Sequence, residues 1–279
     1  MTDHLHLLGV RVDRVGGREA LALMERFMQE RGRDGPRQVV TINPEFVVQA
    51  QDDPSFRAVL NAADLNLADG VGIVWASHVV GAPVPERVAG VDAVERLAAL
   101  AGRQGYRIYF LGGRPGVAEG AARTLAARYG PDLVAGAQAG SPAEEKAGIL
   151  LEAIGAARAD ALLVAFGAPT QDGWIARHRP SLDVGLAMGV GGAFDFITGA
   201  VPRAPRPLQR LGLEWAFRLV RQPWRWRRML RLPRFVWLVL RQGRRGGICP
   251  CRPHPDPLPQ GEREHQPHPD PLPGGRGER

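Results

Sequence analysis

Ala161-Leu-Leu-Val-Ala-Phe166, followed at once by Gly167-Ala-Pro169-Thr-Gln171-Asp172, decides the fold. An unbroken apolar run closed by glycine and proline suits a strand covered on both faces. Gln171–His178 behind it has helical character, so the pair reads as a strand running into a helix. The same unit recurs in both directions along the chain. Arg37-Gln-Val-Val-Thr-Ile42 reads as a strand, and Pro44 opens a helix from its first position. Asp64–Ala68 is a short strand followed by a helix over Val71–Val80, and Arg107–Leu111 is a strand closed by Gly112-Gly113 before a helix over Val117–Tyr129. Leu133-Val134 is a brief strand, Pro142–Ala157 a helix with Ser141 as its N-cap, and Val184–Met188 the last strand. This alternation predicts an α/β fold, a largely parallel sheet flanked by helices on both faces. Ligands of such sheets bind in loops beyond the carboxyl ends of the strands.

The texture changes after Gly199. Residues 196–245 hold thirteen arginines and one acid, Glu214, a net +12 threaded with Trp215, Trp224, Trp226 and Trp237. Of the formal +7 of the 279-residue chain, the tail after 245 contributes −1, which leaves −4 on residues 1–195. An acidic body with a basic, tryptophan-studded extension suits a polyanionic surface, and the run Phe235-Val-Trp-Leu-Val-Leu240 favours an anionic membrane over nucleic acid. Leu208–Arg221 reads as one helix, with Pro223 and Pro233 in the first turns of two more. The chain therefore divides into a core over 1–200, a helical basic appendage over 201–243 and a disordered proline-rich tail over 244–279. In that tail His254-Pro-Asp-Pro-Leu-Pro259 recurs as His268-Pro-Asp-Pro-Leu-Pro273.

Other classes are set aside by what the sequence lacks. No apolar run approaches the roughly 20 residues needed to span a bilayer, and Met1-Thr-Asp-His-Leu-His6 has no signal-peptide character. The two cysteines, Cys249 and Cys251, lie in the tail and cannot staple the core, which fits a reducing cytoplasm. There is no P-loop lysine motif, no GxSxG elbow, no zinc-type His/Cys cluster and no paired acids at a strand end, so no metal site and no cofactor is expected.

Three predicted strand ends collect polar groups: Thr41-Ile-Asn43-Pro44, Ala68-Asp69-Gly70-Val-Gly72 and Gly167-Ala-Pro169-Thr-Gln171-Asp172. In a parallel sheet all three converge on one edge, within reach of Arg87, whose charge suits a phosphate or diphosphate. Gly112 and Gly113 leave free backbone amides at a helix start, another place for a diphosphate. Asp195, in Gly189-Val-Gly-Gly-Ala-Phe-Asp195, can accept hydrogen bonds from a base or sugar. Each residue also has an ordinary reading. Asp-Gly pairs make simple turns, Thr41 and Asn43 suit a turn before proline, Gln171 suits a solvated first turn, and Arg87 suits open surface. The paired glycines equally serve close strand–helix packing, and Asp195 equally caps a helix.

Taken in order, these motifs, with Arg87-Val-Ala-Gly90, Phe110-Leu-Gly-Gly113 and Arg203-Ala-Pro205…Gly212-Leu-Glu214-Trp215…Arg218-Leu, resemble the WecG/TagA/CpsF glycosyltransferase family from about residue 8 to 240. The resemblance implies a Rossmann-like core and an inverting, metal-independent hexosyltransferase. It would move an N-acetylmannosamine-type or glucose-type sugar from a UDP-sugar to a polyprenyl-diphosphate-linked glycan acceptor during cell-envelope polysaccharide or teichoic acid synthesis. It also implies that Asp69 is the general base and that Thr41, Asn43, Arg87 and Gln171 line the pocket, with Asp195 near the uridine. Arg203, Arg206, Arg218, Arg221 and Arg225 would belong to an appendage that contacts membrane and closes over the donor, and the core would self-associate as a homo-oligomer. The implied location is cytoplasmic, peripheral on the inner face of the cell membrane. Two rivals stand beside this reading. One is a nucleotide-dependent oxidoreductase or epimerase, which the missing dinucleotide fingerprint disfavours. The other is a non-enzymatic protein that binds nucleic acid or membrane through its arginines.

Overall fold

The computed structural model describes residues 2–32, 35–210, 214–221, 226 and 230–244. Residues Met1–Ile248 form one compact unit. Cys249–Arg279 form a second that lies outside the described residues, as does the expected disorder of the tail.

The chain opens with a hairpin, β1 (His4–Leu7) and β2 (Val10–Asp13), turned at Leu8 and Gly9 with φ of 53° and 82°. Helix α1 (Gly17–Gln29) leads to β3 (Arg37–Ile42). Then come α2 (Pro44–Asp52) and α3 (Pro54–Ala62), each started by an acceptor–proline pair. Asn43 accepts from Phe46 N at 3.0 Å and Asp53 from Phe56 N at 2.9 Å, while the proline in each first turn forgoes an amide that would go unpaired anyway. Next are β4 (Leu65–Ala68), α4 (Val71–Val79), α5 (Gly90–Gln104), β5 (Ile108–Gly112), α6 (Val117–Tyr129), β6 (Val134–Gln138) and α7 (Glu144–Ala157). The core closes with β7 (Ala161–Ala165), α8 (Thr170–His178), β8 (Leu186–Gly189) and α9 (Ala193–Ile197). Beyond it stand α10 (Arg206–Arg210), α11 (Glu214–Arg221) and α12 (Arg231–Arg244).

The main sheet has six strands, all parallel, in the order β4-β3-β8-β7-β5-β6. Alternate side chains divide the core as strand geometry requires. Val39, Ile108, Phe110, Leu163 and Met188 meet α1, α5, α6 and α9 on one face. On the other face Val40 and Ile42 meet α2, α3, α4 and the hairpin, while Leu111, Leu162 and Ala187 meet α7 and α8. The chain leaves β3 toward the second face and leaves its neighbour β8 toward the first. The loops therefore diverge between β3 and β8, where open α/β sheets form a crevice.

Three expectations are corrected. Leu133 closes a 3₁₀ turn over Pro131–Leu133, and the strand follows it over Val134–Gln138, where alanine and glycine give little apolar signal. Helix α7 starts at Glu144 rather than Pro142, and Ser141 is not its cap. The Ser141 hydroxyl instead accepts from Ala143 N at 3.3 Å, closing a local turn that competes with the helix. The helix expected from Leu208 begins at Arg206, runs to Arg210 and is described again over Glu214–Arg221, with 211–213 outside the described residues.

Helix α12 docks on the core between α2 and α4. Phe235 and Val239, one turn apart, are buried in the cluster below it. A side chain at Gly72 would stand 3.6 Å from the Phe235 ring, and one at Gly243 would stand 3.1 Å from Val79. Gln242 accepts from Leu8 N at 3.0 Å and donates to His6 O at 3.2 Å, and Arg234 pairs with Asp52. No described helix is long and apolar enough to cross a membrane.

Candidate active site

Because every strand of the main sheet runs the same way, all its carboxyl ends lie along one edge. Read across the sheet, that edge presents Asp69 after β4, Asn43 after β3, the glycines 189–192 around the end of β8, the Gly167–Gln171 turn after β7 and Gly112-Gly113 at β5.

The β4/β3 side is held by backbone. Asp69 N donates to Ile42 O at 2.8 Å, and Val88 N to Ala68 O at 2.9 Å, which brings the loop carrying Arg87 against the end of β4 beside Asp69. A Cβ at Gly72 would stand 2.7 Å from Pro44 Cγ, so the Asp69–Gly72 turn packs directly on the Asn43-Pro44 turn. Gly70, at φ 89°, sets the reversal into α4. Asp69 is half-buried, and so is Asn43, whose carbonyl oxygen is committed to the α2 cap. Thr41 faces α5, where a Cβ at Gly90 would stand 3.4 Å from its hydroxyl. The first turn of α5 has no side-chain cap, so its amides remain an anion-favouring end beside Thr41.

Four charges gather against this side. Arg203 holds Asp92 through two bonds of 2.6 and 3.0 Å, and its Nε reaches Glu214 Oε1 at 3.3 Å. The other Glu214 oxygen meets Arg87 Nη1 at 3.3 Å. The Asp92 hydrogen bonds raise the Arg203 pKa further, so that guanidinium is charged at any physiological pH. Arg87 is thus not the open-surface charge that its alternative reading allowed.

The β8/β7 side is more enclosed. Gln171 is 3% exposed and its side-chain oxygen accepts from Gly191 N at 2.9 Å, so it braces the glycine turn rather than lying solvated in a first turn. Asp172 is wholly buried beside it, and a Cβ at Gly189 would meet its Oδ1 at 2.5 Å. Burial pushes the Asp172 carboxyl up to about 7, and neither of its oxygens has a hydrogen-bond partner among the described residues. Gly112 and Gly113 have φ of 100° and 79°, and a Cβ at Gly112 would stand 2.9 Å from the Phe166 ring. Their packing role is therefore explicit. Asp195 caps no helix. It sits in the first turn of α9, half-buried, with Arg114 at 3.5 Å. His178 packs against Trp174, ring centres 4.8 Å apart and tilted by 53°, away from the edge in a structural setting.

Arg221 is exposed, with its guanidinium 5.5 Å from the Phe217 ring centre. Arg225 lies outside the described residues, and for Arg206 and Arg218 only the helical backbone is described. Among the described residues no group of three or more His, Cys, Asp or Glu side chains is placed to hold a metal ion. Sequence reading passed over Asp92 and the two roles of Glu214. Their contacts with Arg203 and Arg87 join positions 111 and 127 residues apart, and no local pattern signals such pairs.

The sequence pattern of the Glycosyl transferase WecG/TagA/CpsF family matches residues 5–247. The chain is 35% identical over 206 residues to an N-acetylglucosaminyldiphosphoundecaprenol N-acetyl-beta-D-mannosaminyltransferase of Bacillus spizizenii, covering 74% of this chain and 79% of that one. It is 32% identical over 204 residues to the protein of the same name from Bacillus subtilis, covering 73% and 79%. With this match over nearly all the described residues and two relatives at 35% and 32% identity, the chain belongs to the WecG/TagA/CpsF glycosyltransferase family.

Proposed function

We propose that this protein transfers an N-acetylmannosamine unit from UDP to the N-acetylglucosamine of a polyprenyl-diphosphate-linked acceptor, with inversion and with Asp69 as general base. The observation that carries the proposal is the half-buried Asp69 carboxylate at the end of β4, one strand from Asn43 and beside Arg87, in a chain similar to the two mannosaminyltransferases. The β linkage in the names of those relatives is what one inversion at an α-linked donor leaves.

An acceptor hydroxyl oxygen attacks the anomeric carbon as the bond from that carbon to the diphosphate breaks. Asp69 takes the hydroxyl proton and UDP departs with the electron pair. A positioned carboxylate contributes roughly a hundredfold or more to such a step. The charge growing on the diphosphate is met by Arg87, by the open first turn of α5 and by arginines of the appendage, in place of a dedicated metal site. Thr41 and Asn43 line the pocket on one side, and Gln171 acts through the glycine turn that it braces. The Gly112-Gly113 turn and Asp195 lie toward the nucleoside.

We further assign residues 1–200 as the catalytic core and 201–243 as the part that meets an anionic membrane. On α12 the buried face is Phe235 and Val239, while Val236, Trp237 and Leu240 are exposed, with Arg234 and Arg241 alongside. An apolar outer face flanked by arginines suits a lipid headgroup boundary, where a polyprenyl-linked substrate resides.

The test is UDP release by the full chain, offered UDP-linked N-acetylmannosamine, N-acetylmannosaminuronic acid or glucose with a polyprenyl-diphosphate-linked N-acetylglucosamine, with and without EDTA. The expected result is acceptor-dependent release from the N-acetylmannosamine donor alone, unchanged by EDTA. Asp69→Asn should lower kcat by about a hundredfold or more with UDP still bound. Near-full turnover in that variant would remove Asp69 from the role of base.

A further inference from the structure

Arg87 and Arg203 stand side by side with unequal partners. Arg203 grips Asp92 through two short bonds. Arg87 has one ion pair among the described residues, a single 3.3 Å contact to Glu214, longer than the 2.7–2.9 Å usual for a charge-assisted bond. Glu214 is the lone acid of residues 196–245, and it opens α11. That one negative charge is not out in solvent among its thirteen arginines. Its carboxylate is seated between two guanidiniums at the sheet edge, with side-chain exposures of 18% for Glu214, 21% for Arg87 and 26% for Arg203.

A carboxylate that splits its oxygens between two arginines occupies the kind of place that a phosphate occupies. It also ties the appendage to the core, because Arg87 belongs to the core and Glu214 to α11. Three features make the tie exchangeable. The contact is single, it is long, and it sets one negative charge against an arriving diphosphate that carries at least two and can bind a guanidinium through paired oxygens. Asp92, by contrast, keeps Arg203 paired whatever Glu214 does.

We propose that Glu214 is an internal competitor of the donor diphosphate for Arg87, so that donor binding frees the Glu214 carboxylate, and with it the first turn of α11, from Arg87. The inference rests on the donor-site reading above. It gives Glu214 a state set by nucleotide occupancy: shared between Arg87 and Arg203 when the site is empty, held by Arg203 alone when a diphosphate takes Arg87.

The probe is UDP itself, titrated calorimetrically into the full chain and into Glu214→Gln, a near-isosteric change that removes the charge. Partly exposed ion pairs are weak, so the variant should bind UDP about three- to tenfold more tightly than the wild type. Equal or weaker binding by a folded Glu214→Gln would overturn the competition and make Glu214 a brace that preorganises Arg87. A second measurement needs no variant. With UDP bound, backbone amides over 215–218 of the wild type should exchange hydrogen faster, and unchanged or slower exchange would overturn the release. The donor-site reading fails separately, in a wild type that binds no UDP, and the competition falls with it.

Discussion

Helices α8 and α12 are built on opposite plans. Helix α8 turns its polar side chains inward. Gln171 and Asp172 are buried at its first turn, and Trp174 and Ile175 fill the core behind them. Helix α12 turns apolar side chains outward, with Trp237 at 58% exposure, and Phe235 and Val239 are its buried side chains. Burying an acid costs free energy unless something holds it, and exposing a tryptophan forgoes a large apolar gain. Under the proposed function, the buried polar groups lie where the donor's contacts are organised and the exposed apolar groups where a membrane surface completes them. The comparison teaches that burial departs from hydrophobicity at two places, the sheet edge at the start of α8 and the outer face of α12, and these are the two places to which the proposed function assigns a ligand and a membrane.

The strongest way to break the contrast is to remove the anchor of α12. Phe235→Ala deletes a ring that is 1% exposed. A truncation of this kind costs about 3–5 kcal/mol where the site cannot collapse. Thermal melting of the variant should show α12 leaving the core at lower temperature than the rest unfolds. A single transition at the wild-type temperature would mean that α12 contributes little to the fold.

The next test acts on α8. The Asp172 carboxyl is raised in the folded chain to about 7 from an ordinary 3.8. The folded state therefore holds its proton where the unfolded state has lost it, and the stabilisation present below pH 4 is lost as pH rises toward 7. Asp172→Asn should flatten this slope and, above pH 7, stabilise the chain by about 1–3 kcal/mol, the usual cost of a buried unsatisfied polar group. Denaturant unfolding at pH 5 and pH 8 measures both. A variant less stable than the wild type at pH 8 would show that the ionised carboxylate is held by the fold.

The smallest effect concerns the outer face. Trp237→Ser should leave the melting temperature nearly unchanged, since the side chain is exposed. It should weaken sedimentation with anionic vesicles by about tenfold, the equivalent of about 1.4 kcal/mol. Equal vesicle binding would mean that arginines alone provide the attraction.

Much of the sheet was legible because its strands are continuous apolar runs. Arg37–Ile42 has the predicted bounds, and Ala161–Phe166 is one residue longer than β7. Legibility failed where side chains are small or where a local hydrogen bond intervenes, as at Val134–Gln138 and at Ser141. The hairpin at His4–Asp13 went unread, because its two strands are only four residues each and alternate apolar residues with His, Arg and Asp, which leaves no apolar run. Among the site residues, the backbone turns of Asn43-Pro44, Asp69-Gly70 and Gly112-Gly113 carried their own local signals. Gln171 carried none for its burial, which depends on a glycine turn 20 residues on.

The sequence alone determined the alternation of strands and helices, the convergence of strand ends that a parallel sheet entails, and the segregation of positive charge into the C-terminal third. These follow from apolar periodicity, glycine and proline placement, and composition, which act over a few residues at a time. Only the tertiary structure decided that Glu214 stands between Arg87 and Arg203, that Asp172 is sealed beneath the glycine turn, and that α12 keeps its tryptophan outside. Each of these depends on which distant surfaces meet, and on the dielectric and neighbours that each charge then finds, which is a property of packing and not of sequence order.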